Sequence, residues 1–184
     1  MELQVALEKR RAYRSLAPVT ITNNDIEQLA KAAQLAPSCF NKQPWRFIFI
    51  RDESVLKELH SALSKGNEWI HKASMMIAVF SKKEFDCTLS DREYYLFDTG
   101  MASAILMLKA TELGLVAHPI AGYNQKKAKE ILGIPEDLKL ITFINVGKLS
   151  DCLDESLNER QIEEEKQRPK RDELSEFIYY DKYS

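Results

Sequence analysis

Leu3, Val5, Ala6 and Leu7 stand among charged neighbours, a spacing that predicts a short helix with one apolar side over residues 2–9. A turn at Ala17-Pro18 precedes a second helix over 24–35. Asn23 or Asn24 can cap it, with Glu27 completing a capping box after Asn24. Ala36-Pro37 ends it, because a residue before proline is pushed out of helical backbone. Residues 45–50 are aromatic and β-branched between Pro44 and Asp52, and read as a strand. A helix over 54–63 and a break at Gly66-Asn67 follow. The apolar run 75–80 has the length of a strand buried on both faces.

Residues 87–90 read as a polar link into the strongest helix of the chain, 91–114, closed by Gly114. Its middle, 101–108, is apolar nearly all round, so it belongs at the centre of a core or at a subunit interface. A short strand over 116–120, an amphipathic helix over 124–132 stopped by Gly133, and a buried strand over 140–146 complete the pattern. The interleaving of helices and strands points to an α/β or α+β sandwich. Residues 151–184 carry eleven acids against six bases and few core formers, and read as a tail wrapped over a surface, its own or a partner's.

Composition narrows the possibilities. A chain of 184 residues fits one domain, 1–184. A net charge of −2 gives no electrostatic case for nucleic acid or an anionic membrane. The apolar run at 101–108 is far short of the roughly 20 residues of a membrane span. No leader is visible, and Cys39, Cys87 and Cys152 are too scattered for a disulfide framework, so a reduced, cytoplasmic protein is expected. No histidine pair or cysteine spacing marks a metal site. The six glycines, at 66, 100, 114, 122, 133 and 147, allow neither common glycine-rich phosphate loop.

Two segments carry candidate chemistry. Lys9-Arg10-Arg11-Ala12-Tyr13-Arg14 places four cations within six residues at a helix end. A solvated turn complementing the helix dipole accounts for it, and so does an anion site built from guanidinium forks. Residues 36–46 form a loop between two prolines in which Ser38, Asn41 and Gln43 offer hydrogen bonds. By composition alone this is a plain connection into a buried strand. Cys39 has no histidine near it in sequence, and His118 reads more readily as a satisfied structural histidine than as a substrate contact.

Taken in order, these segments resemble the FMN-dependent nitroreductase family. Arg10 to Arg14 matches its N-terminal basic box, and Pro37 to Phe47 its Pro-Ser-x-x-Asn-x-Gln-Pro-Trp-x-Phe loop. Residues 98–115 are similar to its central helix, 119–123 to its flavin-edge loop, 131–135 to the helix exit that follows, and 168–171 to a basic element near its C-terminus. The resemblance implies an α+β fold with a central mixed β-sheet flanked by helices. It also implies an interlocked homodimer with FMN at the interface, the 151–184 segment lying extended on the partner.

By the same resemblance, Arg10, Lys170 and Arg171 hold the FMN phosphate, and Arg11 and Ala12 belong to that box, with Ala12 standing where a serine is common. Arg14 lies near the flavin pyrimidine edge, where a cation favours the reduced cofactor. Pro37, Ser38, Cys39 and Asn41 line the ribityl chain and ring, and Asn67 supplies an amide to the pyrimidine edge. The backbone of Pro119, Ile120, Ala121 and Gly122 faces flavin N5 and O4, Ala121 replacing a glutamate of well-known bacterial members. The implied activity passes hydride from NAD(P)H through flavin N5 to a nitroaromatic, quinone or similar acceptor by ping-pong turnover, with no catalytic side chain and no metal. A specialised relative (an ene-reductase or dehalogenase) and a non-catalytic flavin-binding regulator are the alternatives.

Overall fold

The computed structural model describes residues 1–183. The chain runs through α1 (Leu3–Lys9), β1 (Leu16–Ala17), α2 (Asn23–Gln34), β2 (Arg46–Ile50), α3 (Glu53–His60) and β3 (Met75–Ser81). It continues through β4 (Thr88–Leu89), β5 (Arg92–Glu93), α4 (Tyr95–Glu112), β6 (Val116–Ile120), α5 (Gln125–Leu132), β7 (Lys139–Leu149) and α6 (Glu159–Lys166). A 3₁₀ turn at Glu68–Lys72 lies before β3.

β7 organises the main sheet, pairing with β3, β6 and β1, while β2 pairs with β3. Every pairing among the described residues is antiparallel, which corrects the expected mixed sheet. Interleaved helices suggest crossovers but do not set strand direction. Ile50 pairs with Met76, so the 51–74 connection leaves and re-enters the sheet at one end and reverses the chain.

β3 shows why its sequence reads as a continuous apolar run. Met75, Ile77 and Val79 point to one face, against Leu29 and Ala33 of α2 and Ala102, Leu106 and Ala110 of α4. Met76 and Ala78 point to the other, against Leu56, Leu59, Trp69, Ile70 and Ala128. With both faces covered, the period-two alternation still exists in space but not in polarity.

The expected boundaries shift where side chains compete for backbone donors. Thr22, not Asn23 or Asn24, caps α2: its hydroxyl accepts from the Asp25 N–H at 3.1 Å, and the Asp25 carboxylate accepts from the Thr22 N–H at 2.8 Å. Asp52 caps α3 by accepting from the N–H groups of Ser54 and Val55. The long helix begins at Tyr95 rather than at 91, because β4 and β5 pair across Ser90, whose φ is +61°. Gly133 ends α5 in the left-handed conformation, as its position predicts.

The acidic segment also differs from expectation. Its first half folds onto its own chain: Leu157 joins the core, and Asp154, Gln161 and Glu165 are buried. From Lys170 to Tyr183 every residue is exposed.

His118 on β6 pins the N-terminal segment to the sheet. Its Nδ1 lies 3.0 Å from the Tyr13 carbonyl, a contact in which Nδ1–H donates, and its ring packs on Trp69 with centroids 4.6 Å apart. Burial, aided by the charges of Arg14 and Arg10, pushes its pKa down to about 4 against the Tyr13 hydrogen bond. The unfolded chain takes up this proton near its ordinary pKa of about 6.5, and the folded chain only near 4, so stability falls as pH drops through that window. From about pH 7 to about pH 4 the native protein should lose roughly 3 kcal/mol that a His118→Gln variant does not. Urea unfolding of both across this range checks it. Parallel pH profiles would remove His118 as the cause.

Candidate functional site

The two ends of the chain hold each other through helix termini. The Arg11 guanidinium donates to the Glu164 and Glu165 carbonyls at the end of α6, at 2.6 and 3.0 Å, and stacks over the Tyr13 ring at 4.4 Å. Arg168 returns the contact, donating to the carbonyls of Glu8 and, at 2.8 Å, Arg10 at the end of α1. Each arginine meets the carbonyl-rich, partially negative end of the opposite helix. Glu165, 7% exposed, closes the clasp: its carboxylate accepts from the Arg14 and Ser15 N–H groups at 2.7 and 3.1 Å.

Between the ends lies a cavity of about 170 Å³ lined by Arg10, Arg11, Ala12, Arg14, Glu164, Arg168, Pro169 and Arg171. Burial and the neighbouring charges of Arg168 and Arg171 lower the pKa of Arg10. Like charges gathered in a half-buried pocket repel one another unless an anion joins them, and the guanidinium forks match phosphate oxygens. Residues 150 or more positions apart in sequence thus meet as a pocket chemically suited to a phosphate group. Glu164 sits in the same cavity and pairs with Arg14 at 2.9 Å and with Arg160 at 3.2 Å, so Arg14 is already partly balanced.

Lys170 does not line this cavity. It faces a neighbouring groove and pairs with Glu173 at 3.4 Å. Arg168 and Glu164 do line it, and neither is among the residues the resemblance assigns to the cofactor. Arg168 was legible in principle from the basic run it opens, whereas Glu164 is one acid among many in an acidic segment.

Asn67 and the 119–122 loop meet each other. The Asn67 amide donates to the Gly122 carbonyl at 2.9 Å, as does the Ser64 N–H at 3.0 Å. A Cβ on Gly122 would lie 2.5 Å from the Asn67 amide nitrogen and push that side chain off its hydrogen bond. Ile120 turns its side chain into the core, leaving only its backbone for a ligand, while Pro119 and Ala121 are exposed.

The 37–45 loop stands apart, at the N-terminal end of α4. Phe40, Asn41 and Gln43 all have left-handed backbone, with φ of +46°, +55° and +49°. For a phenylalanine this costs on the order of 1 kcal/mol or more and persists only where surroundings enforce it. Here they do. The Ser38 hydroxyl accepts from the Gln43 N–H at 2.9 Å, the buried Asp98 carboxylate of α4 accepts from the Cys39 N–H at 2.7 Å, and Ser81 donates to the Pro44 carbonyl at 2.8 Å. Pro37 and Asn41 are exposed, Ser38 and Cys39 half-buried, and none of the four lines the arginine cavity.

Removing the Glu165 carboxylate strands two N–H groups in a buried clasp. Glu165→Ala should therefore cost about 2–4 kcal/mol of unfolding free energy, and Glu165→Gln, which keeps one acceptor, less. Denaturant midpoints decide it; a loss below about 0.5 kcal/mol for the alanine variant would mean that the clasp is not what holds the ends together.

The sequence and the fold resemble those of known proteins. A protein of Archaeoglobus fulgidus whose name pairs NADH dehydrogenase with NAD(P)H nitroreductase is 34% identical over 148 residues, which span 77% of this chain and 82% of that protein. A solved oxidoreductase containing FMN superposes with a TM-score of 0.84 at 26% identity, over 97% of this chain and 91% of its own. A nitroreductase family protein of Clostridium difficile 630 matches end to end, with a TM-score of 0.80 and 25% identity. The model of the Nitroreductase family matches residues 7–68 and 57–148, which takes in the basic box, the 37–45 loop, α4 and β6. On that match this chain belongs to the nitroreductase family.

Proposed function

We propose that the chain is an FMN-dependent oxidoreductase that works as a homodimer, with NAD(P)H as reductant and electron-poor small molecules such as nitroaromatics or quinones as acceptors. The observation that carries this reading is the arginine cavity joined from both ends of the sequence, a phosphate-suited pocket in a chain without a glycine-rich loop. FMN, if bound there, would supply the redox chemistry, the transfer of a hydride equivalent between nicotinamide and acceptor.

The chain's own residues hold, orient and tune. Arg10 and Arg171 neutralise the phosphate, with Arg168 fixed beside them by its carbonyl bonds. Arg14 places positive charge toward the flavin, which favours its reduced form, and the Glu164 partner moderates that charge. The Asn67 amide and the 120–122 backbone, locked together through Gly122, form one rigid edge for the ring. Ala121 brings no acid to that edge, so proton delivery there falls to water or substrate.

Two features support the dimer. α4 keeps an open apolar side beside its packed one: Phe97 is 63% exposed, with Leu96, Ile105 and Leu108 only partly covered. The exposed C-terminal stretch holds Phe177, Tyr180 and Tyr183, and so much apolar surface calls for a partner.

The purified protein should be yellow and bind FMN; a colourless protein that takes up no FMN on titration would end this reading. Arg10→Ala and Arg171→Ala should each weaken FMN binding about tenfold or more while leaving riboflavin, which lacks the phosphate, unchanged. Equal losses for both flavins would place the arginines elsewhere. In potentiometry of the bound flavin, Arg14→Ala should lower the midpoint potential and Glu164→Gln should raise it, and no shift in either would detach the pair from the ring.

A further inference from the structure

A second constellation lies away from the arginine cavity, where the 37–45 loop meets the segment leading into β4. Cys39 comes from the loop, and Asp86 and Cys87 from that segment. One ligand atom from each, two thiol sulfurs and a carboxylate oxygen, lie within 4.8 Å of one another. Residues 47 positions apart were brought together by packing against α4, so the grouping is a product of the fold and not of local spacing.

The polar inventory of the cluster is unbalanced. Asp86 uses one carboxylate oxygen to accept from the Cys87 N–H at 2.7 Å, but its Oδ2 is buried without a hydrogen-bond partner. Beside it stands the carboxylate of Asp98, 2% exposed and fixed by the Cys39 N–H at 2.7 Å. A buried carboxylate oxygen facing two thiols and a second acid is costly as it stands, and a bound cation would satisfy it.

We propose that Cys39, Asp86 and Cys87 bind a divalent cation of the zinc class, with Asp98 orienting the cysteine loop behind them. Two sulfur donors exclude magnesium and calcium, which take oxygen ligands, and the carboxylate suits zinc better than monovalent copper. Ideal zinc geometry sets such ligand atoms roughly 3.3–3.8 Å apart, so small side-chain rotations suffice. As the metal–sulfur bonds form, both thiols release their protons to water. Three protein ligands leave the fourth tetrahedral position to a water molecule. Cys39 and Cys87 are only half-buried, so the ion enters from solvent. Once in place it ties the strained 37–45 loop to the β4–β5 hairpin. The site does not depend on flavin, and its test reads no turnover.

The experiment is an anaerobic titration of the reduced, desalted protein, as purified, with zinc chloride in a calorimeter. It is paired with counting of reactive thiols by a chromogenic disulfide. One equivalent of zinc should bind. The reactive thiols should fall from the three of the chain to Cys152 alone, and all three should return on adding a chelator. Cys152→Ser should bind zinc as the parent does. Cys87→Ser should abolish binding, and Asp86→Asn, which keeps the acceptor for the Cys87 N–H, should weaken it about tenfold or more. Three thiols still reactive in excess zinc, or a Cys87→Ser protein that binds one equivalent unchanged, would overturn the proposal.

Discussion

The reciprocal clasp between the chain ends is the constraint on which the candidate site depends. Arg11 and Arg168 each seat a guanidinium on the carbonyls that end the other segment's helix, and Glu165 ties down the backbone of Arg14 and Ser15 between them. A helix end presents carbonyls that the helix itself cannot satisfy, and a planar cation satisfies two at once. Because these bonds consume Arg11 and much of Arg168, they hold the geometry that leaves Arg10 and Arg171 free to meet an anion. The pocket is therefore a by-product of a structural lock.

How much of this was legible in the sequence differs from element to element. The runs with strong apolar pattern, β2, β3, β7 and the body of α4, stand where their periodicity places them, because burial against a sheet face decides them. α6 and the 3₁₀ turn were missed for the opposite reason. Residues 159–166 contain a single apolar side chain, Ile162, and fold onto the molecule through buried Gln161 and Glu165, whose partners are backbone groups 95 and 151 positions away. No local rule anticipates a polar residue buried by distant backbone partners. Sheet direction was likewise out of reach, since helix–strand alternation fixes neither the end at which a connection re-enters nor the pairing that follows.

The candidate site shows the same division. The basic box and the proline-bounded loop were visible as motifs, and the family match explains their order. Sorting one arginine from the next required coordinates: Arg11 turned toward helix carbonyls, Lys170 toward a neighbouring groove, and Glu164 into the cavity. Adjacent side chains on irregular backbone diverge by large angles, so a cationic motif specifies a neighbourhood and leaves the individual contacts to tertiary packing.

The sequence separation inside the clasp also orders events in time. During synthesis the N-terminal arginines emerge early, while the carbonyls that receive Arg11 lie 153 and 154 positions later and Arg171 later still. Until Arg171 has left the ribosome the cavity lacks one of its walls, although every strand of the main sheet precedes it in the chain. An anion that fills the cavity is thus acquired after the sheet has formed around β7. Such an anion would offset the repulsion among Arg10, Arg168 and Arg171, so its loss would weaken the hold on the two chain ends without releasing the clasp.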